Sequence, residues 1–305
     1  MSSSDSSSDD TNPFMKKTPE ALSTCGQITA YATSHMSAQY RTHVFSILIC
    51  KDMARLIRWD RSGAIVTEPI YYNMEPHLFD FFIHFDLSPP DVRGQDTTVR
   101  LAKKEEIEDA VNAVKELKGL ETPLLVVSIP ISATGKPSGL EYVVASPLAS
   151  IRVPVGRWTR TSMGYDIQRK SMKDSWRRVI EGVPREGDVY SKFEEQGVPN
   201  VPHCSNSGDV GNDTSYHSTR TDHFINENWA PNYEYDLTPH RHYRLILDDV
   251  GQPLDSFMLF RQWAALVRGT GCAMPSLKSA DLKLRAMRLS IHCSTNSLRF
   301  SRVGI

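Results

Sequence analysis

The sequence predicts an α+β protein: an N-terminal α+β domain with an antiparallel meander, followed by a second unit of short strands and one helix. Three observations predict it. β-rich runs alternate with tight turns between His43 and Pro69, helical periodicity brackets that stretch, and short strand-like runs resume after Leu124. With 305 residues, 40% hydrophobic and 23% charged, the chain can bury one sizeable core or two modest ones.

Residues 1–17 are rich in Ser and Asp and lack a hydrophobic pattern, so they are expected to form a disordered tail. Ser2, Ser6 and Ser7 each have an acid three positions on, which suits an acid-directed kinase, although solubilisation alone accounts for the composition. From 19 to about 41, Leu22, Ile28, Ala32, Met36 and Tyr40 recur near helical spacing. Strands follow at 43–50, 54–59 and 64–69, separated by turns at Lys51-Asp52 and Asp60-Arg61-Ser62-Gly63. Helices are predicted at about 75–85 and 103–117, the second with Ile107, Ala110, Val111 and Val114 on one stripe. This first domain is assigned to residues 18–140.

The second unit is assigned to residues 141–260. Short strands are predicted at 124–129, 140–145, 162–168 and 171–174. Pro184-Arg185-Glu186-Gly187-Asp188 opens a helix to about Gln196, because proline and acids suit a helix N-terminus. Gly197-Val198-Pro199-Asn200 closes it. Residues 205–238 are polar and read as a long surface insert. A strand at 242–247 then leads into Asp248-Asp249-Val250-Gly251.

Net charge is −1, which advertises no nucleic-acid or acidic-membrane partner, but residues 261–305 hold eight Lys or Arg and one acid. This basic tail is expected to be poorly ordered. The five cysteines are widely spread without C-x-x-C spacing, which points to a reducing compartment, cytoplasmic or nuclear. No run is long and apolar enough to be a signal peptide or a transmembrane segment.

The chemistry-bearing pattern is Lys173 on a strand, Glu186 early in the following helix, a turn at Gly156, and the acidic-glycine turn at Asp248, Asp249 and Val250. ATP phosphates need a cation fixed from behind, and a helix carboxylate restrains that lysine. Glycine at 156 would permit close backbone approach to phosphates, and the 248–250 backbone would offer carbonyl and amide groups to adenine. Strand–helix Lys–Glu pairs are also common surface ion pairs, and the loop lacks a full G-x-G-x-x-G, so spacing alone leaves both readings open.

Several ordered segments resemble the fungal-type protein kinase domain family. They include Arg41-Thr42-His43-Val44-Phe45-Ser46, Arg55-Leu56-Ile57-Arg58-Trp59-Asp60-Arg61-Ser62-Gly63-Ala64, Gly156-Arg157, Lys173-Asp174-Ser175-Trp176-Arg177 and Glu186-Gly187-Asp188-Val189-Tyr190. Gly197-Val198-Pro199-Asn200 and His240-Arg241-His242-Tyr243-Arg244-Leu245 belong to the same set, and the match covers about residues 20–260. The resemblance implies a kinase-like small lobe that uses ATP and Mg²⁺ in Ser/Thr phosphoryl transfer. It assigns Lys173 to the phosphate lysine, Glu186 to its helix partner, Leu247 to the gatekeeper and 248–250 to the hinge. Two departures stand out: Trp158 replaces a usually small residue in the phosphate loop, and only 13 positions separate Lys173 from Glu186.

Neither H-R-D-x-x-x-x-N nor D-F-G occurs, so the large lobe is expected to be absent and the chain to be a non-catalytic fragment with weak ATP binding. A protein partner covering the exposed lobe face is a corollary. The tail has two readings. One is read-through of an intron or a shifted frame after about Leu266. The other is a basic amphipathic helix at 278–289 for anionic lipid or RNA, and the first is preferred. The alternative from another class is a binding or regulatory module acting through the N-terminal domain and the tail. His203-Cys204, His217 and His223 lack ligand spacing, so no metal is expected. Asp60 and Glu68 would be the acids of a nuclease-like first domain, but a turn Asp and a strand-edge Glu are the simpler account.

Overall fold

The computed structural model describes residues 18–113, 124–129, 140–150, 153–166, 168–212, 215–230, 237–250 and 300–303. The expected Ser/Asp-rich tail and residues 261–299 of the basic tail lie outside these. Among the described residues no helix is long and apolar enough to cross a membrane.

Helix α1 (Pro19–Ala38) starts where Thr18 accepts a hydrogen bond from the Ala21 amide and Pro19 occupies the first turn. Strands β1 (Val44–Ile49), β2 (Ala54–Asp60) and β3 (Gly63–Thr67) form the expected antiparallel meander. A further strand, β13 (Phe300–Val303), runs parallel to β3. Ala32 and Met36 of α1 pack on Val44, Ile57, Trp59, Ala64 and Val66, and this is the first core. Its largest member, Trp59, is fully buried.

The second sheet has seven strands in the order β4-β5-β6-β7-β8-β12-β9. They are β4 (Val99–Leu101), β5 (Leu125–Ile129), β6 (Leu140–Ser150), β7 (Thr159–Asp166), β8 (Gln168–Arg178), β9 (Cys204–Asp209) and β12 (His240–Leu247). The small strands β10 (Gly211–Asn212) and β11 (Ser215–Tyr216) make a separate hairpin. Helix α2 (His77–Leu87) precedes β4, α3 (Lys104–Ala113) lies between β4 and β5, and α4 (Glu186–Glu195) lies between β8 and β9.

Two boundaries differ from the sequence reading. The break expected near residue 140 falls inside this sheet, because β5 pairs with β6 from Leu125↔Val144 to Ile129↔Leu140. The stretch expected as a surface insert at 205–238 contains β9, which closes the sheet edge against β12. Its sequence, Cys-Ser-Asn-Ser-Gly-Asp, has no apolar alternation. Backbone pairing to β12 and the double hydrogen bond from Arg177 to Asp209, at 2.6 and 2.6 Å, hold it instead.

Strand parity sorts the side chains of this sheet. Thr161, Lys173 and Leu245 stand opposite one another across β7, β8 and β12, and so do Arg160, Asp174 and Arg244 one residue away. On the Lys173 face, α3 covers Met163 and Tyr165 while the Gly187 amide of α4 meets the Tyr243 hydroxyl. On the other face Met172 and Ile246 join Val127, Tyr142 and Val144, with Tyr40 packed against them. The second face is therefore interior, and the first carries the open strip beside Lys173.

Candidate nucleotide site

Lys173 sits midway along β8, the third strand of the meander β6-β7-β8. Its Nζ donates to both carboxylate oxygens of Glu186, at 2.7 and 2.8 Å. The short connection is possible because β8 runs on to Arg178 and Glu186 is the first residue of α4. A carboxylate there is favoured by the positive end of the helix dipole. Asp188 secures that end, accepting from the Arg185 amide at 3.3 Å and from its guanidinium at 2.9 Å. Both Lys173 and Glu186 retain about a quarter of their side-chain exposure, so the pair is reachable from solvent.

Gly187 sets how closely α4 can lie on the sheet. A Cβ at that position would stand 1.9 Å from the Ser207 hydroxyl oxygen and 2.6 Å from the Tyr243 hydroxyl. Gly187→Ala is therefore expected to lift the start of α4 and cost about 1–3 kcal/mol, the usual range for overpacking. Urea denaturation of the single variant and of Gly187→Ala/Ser207→Gly measures it. The double variant should recover part of the loss, and an unchanged midpoint in the single variant would sink the argument.

The β6–β7 loop contains Gly156 at φ +103°, with open space where a Cβ would be. Its amide is already committed, donating to the Arg61 carbonyl at 2.8 Å. In return the Arg61 guanidinium donates to the carbonyls of Val153 and Pro154 at 3.2 and 3.3 Å. The tip of the first meander thus holds the loop. Burial pushes the Arg61 guanidinium down to about 9, with the nearby Arg160 adding to the effect.

Trp158 does not crowd the strip beside Lys173. Its ring is buried between the guanidinium groups of Arg61 and Arg160, 4.2 and 4.5 Å from the ring centre, and Arg160 belongs to the opposite face. The next residue back, Arg157, is half exposed and reaches Glu186 at 3.7 Å. Two cations therefore converge on one carboxylate. The sequence reading assigned Arg157 no role, because nothing local marks its reach across to α4.

At the far end of β12, Leu247 is followed by Asp248, whose amide donates to the His203 carbonyl at 3.0 Å. The Asp248 carboxylate lies 2.7 Å from His203 Nδ1. Asp249 and Val250 continue from this anchored point, and 251–260 lie outside the described residues. Asp60 and two histidines of the family-like run at 240–245 prove to be interior parts. His240 and His242 belong to β12 and are buried, so the His-Arg-His run is strand. Asp60 is buried and accepts from the amides of Ser62, Arg220 and Thr221 at 2.9, 2.8 and 3.0 Å.

A strand lysine backed by a helix carboxylate is the geometry from which protein kinases grip the phosphates of ATP. A family model described as fungal protein kinase matches residues 14–266, and the chain belongs to that family. Comparison with curated proteins and with solved structures finds no match.

Proposed function

We propose that the Lys173 face of the seven-stranded sheet is the ATP-holding lobe of a protein kinase. The observation that carries this reading is the Lys173–Glu186 pair on the third strand and following helix of a kinase-family chain. Lys173 would hold the α- and β-phosphates and Glu186 would keep it in place. The open side of Gly156 would admit the phosphates, and the backbone of Asp248, Asp249 and Val250 would meet adenine. Since the Gly156 amide is spent on Arg61, Arg157 would supply the charge that loop amides supply elsewhere.

Mg²⁺ fits these residues less well than the nucleotide does. In protein kinases its ligands are the D-F-G Asp and the catalytic-loop Asn, and the base is the H-R-D Asp. None of these motifs occurs in the 305 residues. Assayed by itself, the chain should bind ATP weakly, with Mg²⁺ carried on the nucleotide, and transfer no phosphate.

Titration with a fluorescent ATP analogue tests the site. Wild type should saturate, and Lys173→Met should bind at least about tenfold more weakly, as expected for losing one charge-assisted contact. Equal binding by both would overturn the site. Labelled-phosphate transfer by wild type that Lys173→Met abolishes would overturn the non-catalytic part alone.

A further inference from the structure

The interior face of the sheet holds a polar cluster that the nucleotide reading does not use. Asp96, between α2 and β4, His217, just after β11, and His242, on β12, converge there, with one ligand atom from each within 4.8 Å of the others. The Nδ1 atoms of His217 and His242 are 3.4 Å apart. Asp96 Oδ1 lies 3.8 Å from His217 Nδ1, and its Oδ2 lies 3.8 Å from His242 Nδ1. The juxtaposition is built in, because the His242 amide donates to the His217 carbonyl at 2.9 Å and the two rings stack.

The spacing of the ring nitrogens suits a single metal ion. His242 Nε2 is engaged by the buried carboxylate of Asp174, which leaves Nδ1 as the ring nitrogen that faces His217 and Asp96. Two nitrogens on one tetrahedral zinc, each about 2.0–2.1 Å from the metal, stand about 3.4 Å apart.

We propose that Asp96, His217 and His242 form a three-ligand site for a transition-metal ion of the zinc type. Asp174 orients His242 through its Nε2, and the amide and hydroxyl of Thr98 together with Arg244 orient Asp96. Among the described residues, Arg244 is the guanidinium that bears directly on the ligands. It takes one lone pair of Asp96 Oδ2 and lies between Asp96 and Asp174, so the two carboxylates still outnumber it. Asp96 must move closer for tetrahedral contact, because its two oxygens each stand 3.8 Å from a different histidine nitrogen. The His217 side chain is 18% exposed against 1% for Asp96, so the entry path and the open fourth position lie on the His217 side. Two imidazoles and one carboxylate favour zinc and its neighbours over Mg²⁺ or Ca²⁺. The ion would tie the loop before β4 and the arm after β11 to the centre of the sheet.

Chelator-stripped full chain is titrated with Zn²⁺ against a chromogenic competitor, and separately with Co²⁺. One equivalent of zinc should bind at least about tenfold more tightly than to His217→Ala, in keeping with the loss of one of three ligands. Excess Mg²⁺ should not displace it, and Co²⁺ should give a tetrahedral visible band. If the alanine variant does not fold, His217→Phe keeps the stacked ring and removes the ligand atom. Equal zinc affinity in wild type and variant, no stoichiometric binding, or a thiolate-to-cobalt band from Cys25, Cys50 or Cys204 would overturn the proposal.

Discussion

Replacing Arg244 by Met is expected to destabilise the chain by about 3–5 kcal/mol, the cost of leaving buried charges without their partner. Arg244 is fully buried, as are the carboxylates of Asp96 and Asp174 that it bridges. Two further hydrogens go to the Thr98 hydroxyl at 2.7 Å and the Ser128 carbonyl at 2.8 Å. The Arg244 guanidinium beside Asp96, and the His242 ring with Arg244 beside Asp174, hold both carboxyls below the usual carboxylate range against the upward push of burial. Remove the guanidinium and that push is opposed less on both sides. The comparison variant is Arg177→Met, whose partner Asp209 lies at the sheet edge with some solvent access. Its loss should be milder, about 1–2 kcal/mol for a charge-assisted hydrogen-bonded pair. Urea midpoints followed by circular dichroism compare the two. Equal shifts would mean that burial does not set the scale here.

Asp60→Ala should cost about 3 kcal/mol or more, since it strands several buried amides, each costing about 1–3 kcal/mol when unsatisfied. One carboxylate joins parts of the chain 160 residues apart: the Ser62 amide in its own turn, the amides of Arg220 and Thr221, and the Arg58 guanidinium at 2.8 Å. Beside it, the Ser62 hydroxyl donates to the Thr238 carbonyl at 2.8 Å and Arg61 holds the β6–β7 loop. The turn is the peg by which the meander meets the second sheet. Amide hydrogen exchange reads this directly. In Asp60→Ala the amides of Arg220 and Thr221 should exchange much faster, while Asp60→Asn, which keeps an acceptor oxygen, should show less of the effect. Unchanged exchange in the alanine variant would show that other contacts hold the join.

Much of the fold was legible from local pattern. The helical repeat before residue 40 became α1, the turn at Asp60-Arg61-Ser62-Gly63 lies between β2 and β3, and Pro184 to Asp188 marked the start of α4 within two residues. The α+β class followed from those signals, because turn chemistry and apolar periodicity act over a few residues. Membership of the kinase family was legible too, through ordered runs such as Lys173-Asp174-Ser175-Trp176. The same run shows where local reading stops. Lys173 was singled out and Asp174 was not, yet the pleat sends the lysine to the open strip and the aspartate to the buried cluster.

By itself, then, the sequence determined the class of the protein, its meander, and the pairing of a strand lysine with a helix glutamate only 13 residues on. Only the tertiary structure decided that β4 joins the second sheet and that a polar strand, β9, completes it. It also decided that Asp96, His217, His242 and Arg244, spread over nearly 150 positions, meet in one cluster. The physical reason is that register and strand parity place these groups. Both are settled by backbone pairing between distant segments, and a buried aspartate or histidine in sequence looks the same as an exposed one.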